Sequence, residues 1–136
     1  MSVENLRCHL HHVHIFASDL DASIAFYEKW FGAKVVWDGS YAGSRNVFMQ
    51  IGEGRLHFYD QPPRGSGKNA FHHLGIQVEG VDELYERMRK DNFPLRQPVK
   101  RSADGAYLMV AAPDNVLLEL FEPGESRKAS LDNYYF

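Results

Sequence analysis

Four of the chain's seven histidines fall within HLHHVHIF, residues 9–16. Neutral imidazole offers a lone pair to a divalent ion and can also carry a proton. The remaining histidines are His57 in RLHFYD and the pair His72–His73 in FHHLGIQV, and a carboxylate, Glu119, lies in VLLELFE. His12 and His57 are 45 residues apart, and His73 and Glu119 are 46 apart. Two pairs of metal-ligating residue types at nearly equal spacing place four potential metal ligands at two repeat-related positions. The tract does not read as a purification tag, because an uninterrupted run is the usual form and here Leu10, Val13, Ile15 and Phe16 interleave with the histidines.

Period-two alternation predicts a strand over this tract, with Val13, Ile15 and Ala17 on one face and Leu10, His12, His14 and Phe16 on the other. Ser18, Asp19 and Asp21 supply N-cap chemistry for a following helix. Ile24, Tyr27 and Trp30 or Phe31 recur at helical spacing, and Gly32 ends it. Then come a strand at VVW (35–37), a polar loop GSYAGSRN (39–46), and strands VFMQI and RLHFY separated by the turn GEG (52–54). QPPRGSGKN is a linker by composition. The pattern then restarts with the strand FHHLGIQV and the helix VDELYERMRKDNF, which carries Leu84, Tyr85 and Met88 on one side. LRQPV reads as a weak edge strand limited by Pro98, and KRSADG as a loop. AYLMVAA and VLLELFE are strands joined by the turn PDN (113–115).

Both halves therefore read β-α-β-β-β, an internal repeat of about 61 residues. HVHIFA (12–17) aligns with HLGIQV (73–78), and LHFYD (56–60) with LELFE (118–122), so His12 falls on His73 and His57 on Glu119. In each strand the apolar residues take the opposite phase, so all four potential ligands point away from the helix-packed face.

These features resemble the vicinal oxygen chelate superfamily, which includes glyoxalase I, extradiol dioxygenases, methylmalonyl-CoA epimerase and fosfomycin and bleomycin resistance proteins. HHVHIFASDLDASIAFYEKWFGAKV is similar to that family's first strand and helix, and APDNVLLELFEP to its closing turn and strand; the resemblance covers nearly all of residues 8–123. It implies an α+β fold of two tandem βαβββ modules, at 8–60 and 71–123, with a linker at 61–70 and a tail at 124–136. Their curved mixed sheets would form a cup holding a divalent metal ion. His12, His73 and Glu119 match the family's usual two-histidine, one-carboxylate set. His57 stands where glyoxalases typically have Glu and epimerases Gln, and where dioxygenases often leave the position empty.

Imidazole and carboxylate ligands suit Fe, Mn, Ni, Co or Zn. The resemblance implies an enzyme. One expectation is a glyoxalase-like lyase or isomerase acting through a metal-stabilised enediolate, with Glu119, His57 or His14 moving the proton. A second is an extradiol-type ring-cleaving dioxygenase using Fe(II), and a third is a drug-binding resistance protein. Arg55, Tyr59, Gln77 and Phe121 share the ligand face and are candidates for a pocket lining. His9, His11 and His72 fall on the other phase or outside the core and are read as structural or solvent-exposed.

Composition frames the partners. The chain has 136 residues, 44% hydrophobic and 24% charged, with a net charge of -3. That balance gives no electrostatic reason for nucleic acid or an anionic membrane as partner, and no apolar run approaches the roughly 20 residues a membrane span needs. MSVENLRCHL lacks a secretory pattern, and the single cysteine, Cys8, forms no internal disulfide and reads as a plain strand residue. A cytoplasmic homodimer acting on a small molecule is expected. The aromatic end of the tail, Tyr134 to Phe136, is expected to pack on a neighbouring module or subunit.

Overall fold

The computed structural model describes residues 6–65 and 70–136; the start of the N-terminal stretch and the centre of the expected linker lie outside the described residues. The chain divides into two compact units, Met1–Gly67 and Lys68–Phe136. Each contains one βαβββ module, and the two are built to the same plan.

The first module runs β1 (Val13–Ala17), α1 (Leu20–Phe31), β2 (Lys34–Tyr41), β3 (Ser44–Ile51) and β4 (Gly54–Asp60). Its sheet has the order β1-β4-β3-β2. The chain crosses through α1 so that the first and last strands lie side by side and parallel, while the remaining pairs are antiparallel. Asp19 caps α1 by accepting from the Ala22 amide at 3.1 Å. Gly32 ends the helix in the left-handed conformation, φ 65°, which costs a residue without Cβ nothing. Between helix and sheet lie Tyr27, Val47, Met49 and Phe58, all buried. The Tyr27 and Phe58 rings sit 5.6 Å apart. Burying each large apolar side chain of this kind contributes about 1.5–3 kcal/mol.

The second module runs β5 (Leu74–Gln77), α2 (Val81–Lys90), β6 (Lys100–Ser102), β7 (Gly105–Ala111) and β8 (Leu117–Pro123), with a short 3-10 turn at Pro113–Asn115 and a final helix α3 (Glu125–Ser130). Its sheet order, β5-β8-β7-β6, repeats that of the first. Val81, Met88, Leu108, Leu118 and Leu120 form its core. No side chain of α2 caps its N-terminus; instead Glu122 reaches over from β8, accepting from the Gly80 amide at 2.9 Å and the Val81 amide at 3.3 Å. No helix among the described residues is long and apolar enough to cross a membrane.

Several local expectations change. The polar loop at 39–46 is a hairpin: β2 and β3 meet at a two-residue turn, Ala42 (φ 52°) and Gly43 (φ 80°). Positive φ at both positions is the turn that follows the twist of paired strands. Buried Asn46 braces it, its amide donating to the carbonyls of Tyr41 and Ser44, each at 3.1 Å. Arg45 adds a two-pronged contact to Asp38, at 3.0 and 2.9 Å, and a third bond to Asp21 of α1 at 2.8 Å. LRQPV forms no strand; the edge strand lies just after it, at Lys100–Ser102. Pro98 has no N–H for a ladder, so pairing begins only beyond it. Cys8 is exposed and precedes β1 rather than lying in a strand. The tail packs on its own unit: the Gln77 side chain donates to the Phe136 carbonyl at 2.8 Å and accepts from the Phe136 amide at 3.2 Å, and Tyr135 lies edge-on to Phe121 at 6.1 Å.

Candidate metal centre

The repeat is in register to the residue. In the first module His14 faces His57 across the parallel β1–β4 pair. In the second Gly75 faces Glu119 across β5–β8. His12 and His73 each stand one residue before the first strand of their module. Leu56 and Phe58 flank His57 with their side chains in the core, and Leu118 and Leu120 do the same for Glu119. Alternation then turns His57 and Glu119 to the face away from the helix.

In the first unit the His12 and His57 rings stack at 3.7 Å, 14° from parallel. Phe48 stacks on His57 at 3.7 Å and 13°. His57 is therefore the middle layer of a three-ring pile, and it is buried. That burial, with the neighbouring His12, His14, His11 and Arg55 adding like charge, pushes its pKa down to about 4. A neutral imidazole at pH 7 keeps a lone pair for a metal. His14 lies edge-on to His57 at 5.8 Å and stacks on Tyr59 at 4.0 Å. Desolvation, then His12, lowers its pKa as well. Ligand atoms of His11, His12 and His57 all lie within 4.8 Å of one another.

In the second unit His73 Nε2 and Glu119 Oε2 are 4.0 Å apart. That is too long for a hydrogen bond. Two donor atoms each about 2.1 Å from one ion are separated by at most about 4.2 Å, so the gap accommodates both as ligands. An imidazole facing a carboxylate is donor chemistry that suits a divalent transition metal.

Each unit thus brings its own repeat-related pair together, His12 with His57 and His73 with Glu119, and His14 joins the first. Among the proposed pocket residues, Tyr59 supports His14, whereas Gln77 and Phe121 are engaged by the C-terminal segment. His11 and His72 are solvent-exposed, as their phase in the sequence led one to expect. The structure adds that each places its Nδ1 against Nδ1 of the next histidine, at 3.0 Å for His11–His12 and 2.8 Å for His72–His73. The strand ladders start only at Val13 and Leu74, so strict alternation does not govern the two residues before them. The signal in the sequence was the recurrence of the dipeptide itself. Phe48 was also missed; only its place beside His57 in the β3–β4 register marks it.

Comparison with known proteins follows the same line. The family described as the Glyoxalase/Bleomycin resistance protein/Dioxygenase superfamily matches residues 9–120. Curated proteins give no significant match. Among solved structures, the chain is similar to a mutant of the fosfomycin resistance protein FosX from Listeria monocytogenes complexed with Mn(II) and 1S,2S-dihydroxypropylphosphonic acid. The TM-score is 0.74 at 19% identity, over 93% of this chain and 100% of that one. It is also similar to lactoylglutathione lyase from Agrobacterium tumefaciens, with TM-score 0.64 at 22% identity over 85% of this chain and 94% of that one. A glyoxalase family protein from Enterococcus faecalis gives 0.68 at 22% identity over 84% and 97%. At these identities the likeness is one of fold. The family match itself runs from the histidine tract into the last strand of the second module, and the chain belongs to the Glyoxalase/Bleomycin resistance protein/Dioxygenase superfamily.

Proposed function

We propose that the chain is a divalent-metal-dependent enzyme of glyoxalase or epimerase type, a lyase or isomerase that removes a proton from carbon next to a carbonyl. His12, His57, His73 and Glu119 are the proposed ligands of one ion. The observation that carries this reading is the facing of His73 Nε2 and Glu119 Oε2 at 4.0 Å, at the positions where the first module has His12 and His57. Further support comes from the similar FosX structure, which contains Mn(II). When bound, the ion would supply Lewis-acid stabilisation of negative charge developing on neighbouring substrate oxygens.

The chain's own groups handle the proton. His14 is the first candidate: Tyr59 holds its ring, and its lowered pKa leaves it unprotonated at neutral pH. A base in that state can accept a proton without first losing one. Glu119 and His57 are the other groups able to serve, to the extent that they are not engaged as ligands. A second reading, ring cleavage by an extradiol-type dioxygenase with Fe(II), is favoured by the two-histidine, one-carboxylate subset His12, His73 and Glu119.

The deciding experiment is a screen of protein reconstituted with Mn, Fe, Ni or Zn against thiohemiacetals, acyl-CoA esters, fosfomycin and catechols, with and without oxygen. Isomerisation or lyase turnover with redox-inert Zn supports the proposal. Oxygen-consuming ring cleavage with iron and no turnover with nickel or zinc would replace it with the second reading. Stoichiometric fosfomycin binding without turnover would favour the resistance-protein reading. We also propose a cytoplasmic homodimer acting on a small molecule. Val36 and Trp37 are exposed on the edge strand β2, which leaves apolar surface for a partner. Light scattering that returns a monomer at micromolar concentration excludes a stable dimer.

A further inference from the structure

The ligand reading assigns nothing to His11 and His72, yet they make the same contact 61 positions apart. Two repeat-related residues with one geometry are two separate observations of one device. In both, adjacent imidazoles meet Nδ1 to Nδ1 within hydrogen-bond distance, with rings nearly perpendicular, at 88° for His11–His12 and 80° for His72–His73.

A hydrogen bond between two neutral imidazole nitrogens needs one N–H and one lone pair. Two arrangements satisfy it. If His73 accepts at Nδ1, its proton sits on Nε2, and Nε2 has no lone pair to give. If His73 donates from Nδ1, Nε2 is bare. In the second unit it is Nε2 that faces Glu119, so only the donating arrangement leaves a usable ligand atom toward the carboxylate. A metal-binding histidine commonly donates its second ring N–H to a fixed acceptor, which sets both tautomer and ring orientation.

We infer that His11 and His72 are positioning residues: each accepts at Nδ1 a hydrogen bond from the Nδ1–H of the following histidine, holding His12 and His73 in the tautomer whose Nε2 is free for a metal ion. The inference rests on the proposed ligand role of His12 and His73. It adds that each module carries its own acceptor, built into the sequence as a doubled histidine.

Two measurements test it. The first uses the wild-type protein without metal. Nitrogen-15 NMR of the histidine rings, at a pH about two units above the usual histidine value, reads the tautomer directly. The expected result is Nδ1–H for His12 and His73, and Nε2–H for His11 and His72. The opposite assignment overturns the inference whatever the protein's activity.

The second is metal binding by calorimetry, with Mn(II) and Zn(II) alone as probes. His72→Phe removes the acceptor and should weaken binding about 10- to 100-fold with no change in ions bound per chain. His72→Asn, whose amide oxygen can accept, should recover most of that loss; His11→Phe and His11→Asn should behave alike. Wild-type affinity in both Phe variants, with binding abolished in His73→Ala, overturns the inference and leaves the ligand reading standing. Undiminished binding in His73→Ala removes the ligand reading, while the tautomer measurement still decides the pairing. If His11→Phe abolishes binding as completely as His12→Ala, His11 is itself a ligand and the inference fails for the first module.

Discussion

His14 stands directly across the β1–β4 ladder from His57, and the equivalent place opposite Glu119 is Gly75. The proposed ligand positions correspond between the modules, whereas this one differs: one module offers an imidazole where the other offers no side chain. A group present in only one half is not needed to hold an ion symmetrically, and it is free to do chemistry. We expect His14→Ala to keep the full metal content and to lower kcat by about 10²–10⁴-fold, the range for loss of a general base. Metal analysis alongside steady-state kinetics on the substrate found in the screen checks this. Unchanged kcat assigns His14 to the pocket wall.

The ligand set makes a separate prediction. His73→Ala and Glu119→Gln should each remove most bound metal, because each deletes or neutralises one of the four proposed donors. Neither should unfold the protein. Both side chains are half-buried on the face away from the helix, and the second module's core rests on Leu118, Leu120 and Met88. Metal content and thermal midpoint, read on the same samples, separate the two effects. A collapse of the midpoint would mean that these residues hold the fold instead.

Acid should weaken the metal-free protein through His57. Its pKa is about 4 in the fold, against about 6.5 for a histidine in an unfolded chain. Between these values the unfolded chain binds more protons, so stability falls as pH drops through that window and levels off below it. Burial of a neutral ring under Phe48 is the main cause. His57→Gln should flatten this part of the pH profile of the thermal midpoint. An unchanged slope in the variant would assign the acid sensitivity to other groups.

Glu122 carries a structural prediction. Its two carboxylate oxygens take the Gly80 and Val81 amides at the open end of α2, where no side chain of the helix does so. Glu122→Ala should cost roughly 1–2 kcal/mol, the upper part of the range for a lost cap. Denaturant midpoints measured on Glu122→Gln should fall between the wild type and Ala, since the amide oxygen can still accept one bond.

Much of this architecture is legible in the sequence because its signals are local. Asp19 and Gly32 bracket α1 with cap chemistry, and alternation around Leu118 and Leu120 marks β8 and its outward Glu119. The misses arise where tertiary contacts decide. Ala42 at positive φ carries no turn signal of its own; the hairpin depends on Asn46, four residues on, holding Tyr41 and Ser44. The displaced edge strand β6 follows from a missing N–H at Pro98, which limits pairing without saying where it restarts. The exposure of His11 and His72 was legible, but their contacts with His12 and His73 were not, because both pairs precede the first ladder residues, Val13 and Leu74, where alternation no longer sets side-chain direction. The C-terminal segment reads as a polar stretch ending in aromatics, and nothing in it names Gln77 as the side chain that binds Phe136.

The last prediction separates the chemistries and turns on His57, an imidazole at the position where the second module carries Glu119. In an enzyme of glyoxalase or epimerase type the fourth ligand belongs to the working site. His57→Glu should then retain metal and keep or raise proton-abstraction activity, because it restores a carboxylate that can also take a proton. The variant should work anaerobically with Zn or Ni. Glu in place of His57 loses the stack between His12 and Phe48, so some fall in thermal midpoint is expected and is no sign of a lost site. An extradiol dioxygenase makes the opposite demand. It needs Fe(II) or Mn(II), oxygen and two or three open coordination positions, and a fourth protein ligand crowds them. His57→Ala would then be tolerated or even raise turnover. Measured side by side for metal content, oxygen uptake and anaerobic turnover, the two variants move in opposite directions under the two mechanisms. Oxygen-dependent activity retained in His57→Ala, with none in His57→Glu under any metal, would sink the lyase or isomerase reading.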